Sequence, residues 1–373
     1  TNEADAAAVA QGVYDQLQKT PDDLNLRLLA GRIAFANNED DRVMSLLAPV
    51  QATVKTPKLY WNLKGQTLIR QNDVKGAAAH YDAWLKLYPQ DKTAVLGMLL
   101  LLDAQQQYQQ GLNLTNSFLA KQPDSQVKLL KAHFLAMTRQ PKPAKAILDD
   151  MPENVKALPF VRSIYARVAI LEGKSADAVK DAMTAYDANP NSQNALLVVA
   201  AYETSGQAPK VNPFIDSHLE AHPADIRIAM LKAERLIGSD KEGAKSVYAG
   251  ILEQMPENFV VLNNLAYLYY EDGELNKAME LARKAVGLQP KNADSVDTLA
   301  QILIQQDKYE ESLSLYESVV NDQPVADIVY LNYVQLLLDM GKKEVARRKM
   351  RNQEFTTTDG QKRAERIRVR YSL

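Results

Sequence analysis

The sequence predicts an all-α protein, a right-handed α-solenoid superhelix of about ten helix–turn–helix units. Three observations carry that expectation: prolines recurring near every 34 residues, apolar residues spaced by three and four between them, and small residues at a fixed place in each interval. Pro57, Pro89 and Pro123 stand 32 and 34 residues apart, and Pro190, Pro223, Pro256, Pro290 and Pro324 follow at intervals of 33, 33, 34 and 34. Proline lacks the amide donor that a helix interior needs, so it punctuates the end of each helix pair. At 373 residues the chain exceeds the roughly 250–300 at which a single core stops growing. An array avoids that limit, because each unit packs only on its neighbours.

Each interval reads as a first helix, a turn and a second helix. The phase places unit starts near Leu24, Lys58, Lys92, Gln126, Pro159, Gln193, Ile226, Phe259, Ala293 and Asp327. In the Phe259 unit, Leu262, Leu265, Ala266 and Tyr269 form one stripe, Gly273 turns the chain, and Ala278, Ala282 and Ala285 form the next. Gly31, Gly65 and Ala266 sit where the helices of one unit approach closely; Ala77, Ala278 and Ala346 sit where the second helix meets the first helices on either side. Trp61, Tyr81, Tyr269 and Tyr316 are the large partners beside them. With these residues at this period, the chain resembles the tetratricopeptide repeat family.

Residues 1–20 read as a lone second helix of a repeat cut in half, with Val9, Val13 and Leu17 as its stripe, which leads us to expect further repeats upstream and a processed or trimmed fragment. Prolines 141, 143 and 152 break the Gln126 unit, which sets the expected subdomain boundary: an N-terminal array over 21–158 and a C-terminal array over 159–351. Pro209 and Pro213 fall where the second helix of the Gln193 unit should begin. Residues 352–373 lose the period and read as a loop and a basic capping helix.

Composition excludes several classes of function. There is no cysteine, hence no disulfide, thiol catalysis or zinc–thiolate site. The net charge of −2 exerts no global pull on nucleic acid or anionic lipid, although 341–373 carries 11 Lys/Arg against 4 Asp/Glu. That basic tail reads as a solvated helix face. The longest apolar run, Ala94 to Leu102, is far short of the roughly 20 residues of a membrane helix. No phosphate loop or nucleophile elbow occurs. His218 and His222 stand one helical turn apart, yet lack the glutamate position of the metalloprotease motif and any third ligand. His80 reads as a packing or surface residue. The expectation is therefore no enzyme, no cofactor and no metal.

Function in such an array is expected on the concave face, lined by the first helices. Counted from the unit starts, the inward positions are Asn62, Gln66, Arg70, Asp103, Arg167 and Asn194, then Asn263, Tyr267, Tyr270, Asp297, Gln301, Gln305, Gln335 and Asp339. Amides and tyrosines suit an extended peptide, since they bond backbone groups and offer area at low entropy cost. The Lys/Asn/Arg clamp of repeat domains that hold acidic chaperone tails is missing: its positions read Asn263, Tyr267 and Thr298. The C-terminal third, with Leu262-Asn-Asn-Leu-Ala-Tyr-Leu-Tyr269 and Asp297-Thr-Leu-Ala300, resembles bacterial PEP-CTERM/exosortase-associated tetratricopeptide lipoproteins. That resemblance implies a lipid-anchored precursor in the periplasm or envelope, serving protein sorting, secretion or exopolysaccharide production. The expected partners are other proteins or peptide segments, with no nucleic acid, and self-association through repeat ends is a further mode. A cytoplasmic adaptor, or the repeat part of a larger protein with an enzymatic domain elsewhere, is the alternative.

Overall fold

In the computed structural model, residues 3–322, 324–351 and 353–373 are described, with side chains from Ala7 onward except that of Ser175. The described residues form 23 α-helices and one short 3-10 turn, with no strand. The chain divides into two compact units, unit 1 ending at Ala208 and unit 2 beginning at Pro209.

Unit 1 opens with α1 (Glu3–Lys19). Pairs follow: α2 (Leu24–Ala36) with α3 (Asp40–Leu47), α4 (Lys58–Arg70) with α5 (Val74–Leu87), α6 (Lys92–Ala104) with α7 (Tyr108–Leu119), and α8 (Ser125–Met137) with α9 (Pro141–Asp149). The one-turn α10 (Glu153–Lys156) leads to α11 (Pro159–Leu171), α12 (Ser175–Ala188) and α13 (Ser192–Thr204). Unit 2 holds α14 (Val211–Ala221), then α15 (Ile226–Leu236) with α16 (Lys241–Gln254), α17 (Phe259–Glu271) with α18 (Leu275–Leu288), α19 (Ala293–Gln305) with α20 (Tyr309–Val320), α21 (Asp327–Asp339) with α22 (Lys343–Arg351), and finally α23 (Thr358–Tyr371).

Two local devices repeat along the chain. Just after several of the periodic prolines an Asp or Asn caps the next first helix: Asp91, Asp124, Asn191, Asp225, Asn258 and Asn292 each accept a hydrogen bond from an amide in the first turn. Between the two helices of most pairs the chain passes through a left-handed residue, α15–α16 being the exception. Asn38, Asn72, Gln106, Arg139, Gly173, Gly206, Gly273, Asp307 and Gly341 all have positive φ.

The packing follows the small residues. A Cβ added to Gly65 would meet the Tyr81 hydroxyl at 2.7 Å, and one at Gly111 would meet the Phe134 ring at 2.4 Å. Ala77, Ala278 and Ala346 are fully buried, as are Trp84 and Tyr316. The rings of Trp61 and Trp84 stack with centroids 5.8 Å apart. His80 is buried in this aromatic cluster, where its Nε2 hydrogen donates to the Trp61 carbonyl at 2.8 Å and burial lowers its pKa to about 4.

The expected boundary at 158/159 is not where the packing divides. Val127, Phe134, Leu148, Val161 and Ile164, from α8, α9 and α11, share one core. The prolines explain why: Pro141 and Pro159 occupy the first turns of their helices, where no donor is needed, so they start helices without breaking the stack. The one-turn α10 absorbs the extra residues. Pro209 lies in the 3-10 turn Ala208–Lys210 and Pro213 in the first turn of α14, at the actual division. Two unit starts also move by one residue. Asp124 and Asn191 cap α8 and α13, which begin at Ser125 and Ser192 rather than Gln126 and Gln193.

Candidate functional site

In unit 1 the first helices of four consecutive repeats converge. A pocket of about 390 Å³ is lined by Asp103 of α6, His133 and Ala136 of α8, Pro159, Phe160, Ser163, Ile164 and Arg167 of α11, the end of α12, and Asn191, Gln193, Asn194 and Leu197 around α13. Phe160 is exposed and forms a wall with its ring centroid 5.6 Å from that of His133. His133 Nε2 donates to Asp103 Oδ1 at 2.7 Å. Burial lowers the pKa of Arg167, opposed by the nearby Tyr108 and Asp103.

Three sequence-selected residues, Asp103, Arg167 and Asn194, therefore meet in one place, though in different roles. Asn194 is a strap: its Nδ2 donates to the carbonyls of Ala185 and Asn189, at 3.1 and 2.9 Å, tying α13 to the end of α12. The sequence reading missed His133. Counted from Ser125, it falls at the ninth position, where Arg167 stands in its own repeat; the signal was the cap residue Asp124, which fixes the start.

The other groove positions of unit 1 lie further toward its beginning. Asn62 is half-buried and Gln66 is exposed. Arg70 is held within the chain: Nε donates to Asp40 Oδ1 at 2.7 Å, NH1 donates to Asn38 Oδ1 at 2.9 Å, and the guanidinium lies 4.0 Å from the Phe35 ring centroid. It braces the turn of the preceding repeat.

In unit 2 the selected residues line up on α17, α19 and α21. Tyr267 is exposed, its hydroxyl donating to Glu271 at 3.0 Å, and its ring lies 6.3 Å from that of Tyr270. Burial raises both phenol pKa values, and Gln305 hydrogen-bonds Tyr270. Asn263 is half-buried, and its buried Oδ1 has no partner among the described residues. Next to these stands a closed network. The Tyr316 hydroxyl donates to Asp297 at 2.6 Å, Asn332 Nδ2 donates to the same carboxylate at 2.8 Å, Gln301 donates to Tyr316 at 2.8 Å, and Arg363 of α23 donates to Asn332 Oδ1 at 2.7 Å. Burial raises the Asp297 pKa against the pull of these donors and of Arg363. Gln335 donates to Asp339 and to the Tyr371 hydroxyl, so α23 lies against this face.

His218 is buried and bonded to Asp225 at 2.9 Å, with the His222 ring 4.9 Å away. No group of three or more His, Asp or Glu among the described residues is placed to hold a metal ion. No helix among them is long and apolar enough to cross a membrane.

Comparison with known proteins adds the following. The tetratricopeptide repeat family profile matches residues 51–92, and that of anaphase-promoting complex, cyclosome, subunit 3 matches residues 223–319. The chain is a tetratricopeptide-repeat protein. Among solved structures, yeast Tom70 is similar to this repeat protein at 13% identity and a TM-score of 0.50, over 94% of this chain and 87% of that one, which shows the stacked-helix fold. Human IFIT1 solved with PPP-AAAA aligns at 12% identity and a TM-score of 0.46, over 100% of this chain and 88% of that one. No curated protein sequence matches.

Proposed function

We propose that this chain is a non-enzymatic scaffold that binds peptide segments of other proteins along the first-helix faces of its repeats. We further propose that it works in the periplasm or envelope of a bacterium, in a protein-sorting, secretion or exopolysaccharide complex. One observation carries the binding reading: in unit 1 four consecutive first helices turn an arginine, an aspartate–histidine pair, amides and an exposed phenylalanine into a single pocket. Such a mixture orients an extended chain by its polar groups while an aromatic wall takes a side chain. The envelope setting rests on the resemblance of the C-terminal third.

Capture from separated envelope and cytosolic fractions tests the proposal, using the native chain beside two variants, Tyr267→Ala/Tyr270→Ala and Phe160→Ala. Partners that come from the envelope fraction and are depleted with either variant support it. Partners retained equally by both variants, or drawn only from cytosol, overturn the site or the setting respectively. A fluorescent single-stranded RNA titrated at low salt should not bind; saturable binding would overturn the assignment of protein partners.

A further inference from the structure

Helix α23 has one face answered by the chain and one face open. Inward, Ala364 and Ile367 are buried, Arg363 donates to Asn332, and Gln335 donates to the Tyr371 hydroxyl, which sets the register of α23 on α21. That register leaves Lys362, Glu365, Arg366, Val369 and Arg370 exposed, at the spacings of three and four that make one helix face. These five alone line a shallow, open depression. Its walls are mostly apolar, made by the methylene stems of the long side chains and by Val369. Val369 is 71% exposed, more than any other large hydrophobic residue among those described.

The charge on this face is unmatched. On other helices an exposed cation is often paired with a carboxylate one turn away, as Lys86 is with Asp82, Lys145 with Asp149 and Lys284 with Glu280. Lys362, Arg366 and Arg370 make no ion pair among the described residues. Glu365, the one acid of the face, lies 3.9 Å from Arg368. On α22, Arg348 and Arg351 are likewise exposed and without an ion pair among the described residues. The ends of the two helices are tied: Arg347 donates to the Ser372 carbonyl at 3.1 Å, and Arg368 to the Met350 carbonyl at 3.3 Å. Unmatched charge of one sign, gathered at the end of unit 2, calls for a counter-surface of the opposite sign.

We propose that the outer face of α23 rests on the anionic surface of a lipid bilayer, with Lys362, Arg366 and Arg370 among the lipid phosphates and Val369 between the headgroups. Two features favour a bilayer over single-stranded nucleic acid. A nucleic-acid strand is held by exposed rings on which its bases stack, and the aromatic residue of α23, Tyr371, is half-buried with its hydroxyl bonded to Gln335. A bilayer takes an apolar tip ringed by cations with apolar stems, which is the arrangement around Val369. Each cation near such a surface strengthens the contact roughly fivefold. The contact is on a different surface from the peptide-binding faces and does not depend on that reading.

Vesicle flotation tests it on the intact chain, with phosphatidylcholine alone beside phosphatidylcholine mixed with phosphatidylglycerol. At low salt the chain is expected to float with the mixed vesicles and not with the neutral ones, and to be released at high salt. Lys362→Gln/Arg366→Gln/Arg370→Gln should weaken binding roughly a hundredfold, the product of three such contributions. Val369→Trp should be quenched by acyl chains brominated near the headgroup, while Trp61 and Trp84, buried in unit 1, should not. No flotation at low salt, equal flotation with neutral vesicles, indifference to the triple variant, or an unquenched Val369→Trp overturns the proposal. Single-stranded RNA that binds as tightly as the mixed vesicles, and is lost with the triple variant, replaces the bilayer with nucleic acid and overturns the lipid assignment. Circular dichroism of both variants serves as the folding control. If flotation fails while envelope partners are still lost on Tyr267→Ala/Tyr270→Ala, only this inference falls and the scaffold reading stands.

Discussion

The two units use the same polar positions in opposite ways. In unit 2 the first-helix face is largely answered from within: Gln301, Tyr316, Asp297, Asn332 and Arg363 form one hydrogen-bonded chain, Gln335 bonds Tyr371, and α23 contributes Arg363 and Tyr371. In unit 1 the corresponding phase holds Arg167 without a bonded partner over an open pocket. A polar residue on a repeat face is thus no evidence of a ligand by itself. What separates a brace from a binding group is whether the chain already supplies its partner, because a satisfied group gains little from a ligand and an unsatisfied one gains a full interaction.

The comparison can be sharpened first by pH, where the largest effect is expected. Folded unit 1 keeps His80 neutral down to about 4, whereas the unfolded chain takes up a proton near 6.5. Between those values the unfolded state binds more protons, so stability is full above about 6.5 and falls as the pH drops toward 4, by on the order of 3 kcal/mol. Hydrogen exchange of α4 and α5 amides across this range should show the loss, and His80→Phe should flatten it. Asp297 works in the other sense: its raised pKa means that the folded state holds the proton more tightly, so its own contribution improves as the pH falls toward and below that raised value. A unit 1 that resists acid as well as unit 2 would break the contrast.

Truncation comes next. Asp297→Ala removes the acceptor of Tyr316 and Asn332, and should cost unit 2 about 2–3 kcal/mol in denaturant melts. Arg167→Met should leave stability within about 1 kcal/mol, on the stabilising side, since it removes a half-buried charge with no bonded partner. A large loss at Arg167 would make it a brace like Asp297. The smallest effect concerns the turns. Arg139 holds a left-handed φ of 59°, a conformation that carries little penalty for glycine, and glycine takes this place at Gly173, Gly206, Gly273 and Gly341. Arg139→Gly should therefore raise thermal stability by about 0.5–1 kcal/mol.

The fold was legible because the signals that build it are local and periodic. Prolines mark the helix-pair ends, and Gly65 or Ala278 marks a close approach wherever it falls. The groove was legible only where that period was regular. In the Pro159, Ala293 and Asp327 units the start was right, so Arg167, Gln301 and Gln335 were found at the same phase. In the Gln126 and Gln193 units the start was one residue late, which hid His133 and promoted Asn194, a strap between helices. The bonding of Arg70 to Asp40, and of Asp297 to Asn332, joins residues some thirty positions apart, and no local pattern shows which polar side chains will find each other across repeats.

The end of unit 2 has a mechanical consequence. The Asp327 carboxylate accepts from the amides of Thr356 and Thr357, at 3.0 and 2.8 Å, and from the Thr357 hydroxyl, which fastens the loop before α23 to the start of α21. A stack held by neighbour contacts comes apart one layer at a time. Pulled by its two ends, unit 2 should therefore peel from α14 like a zip with one end sewn shut, and the sewn end is the one that carries the densest positive charge.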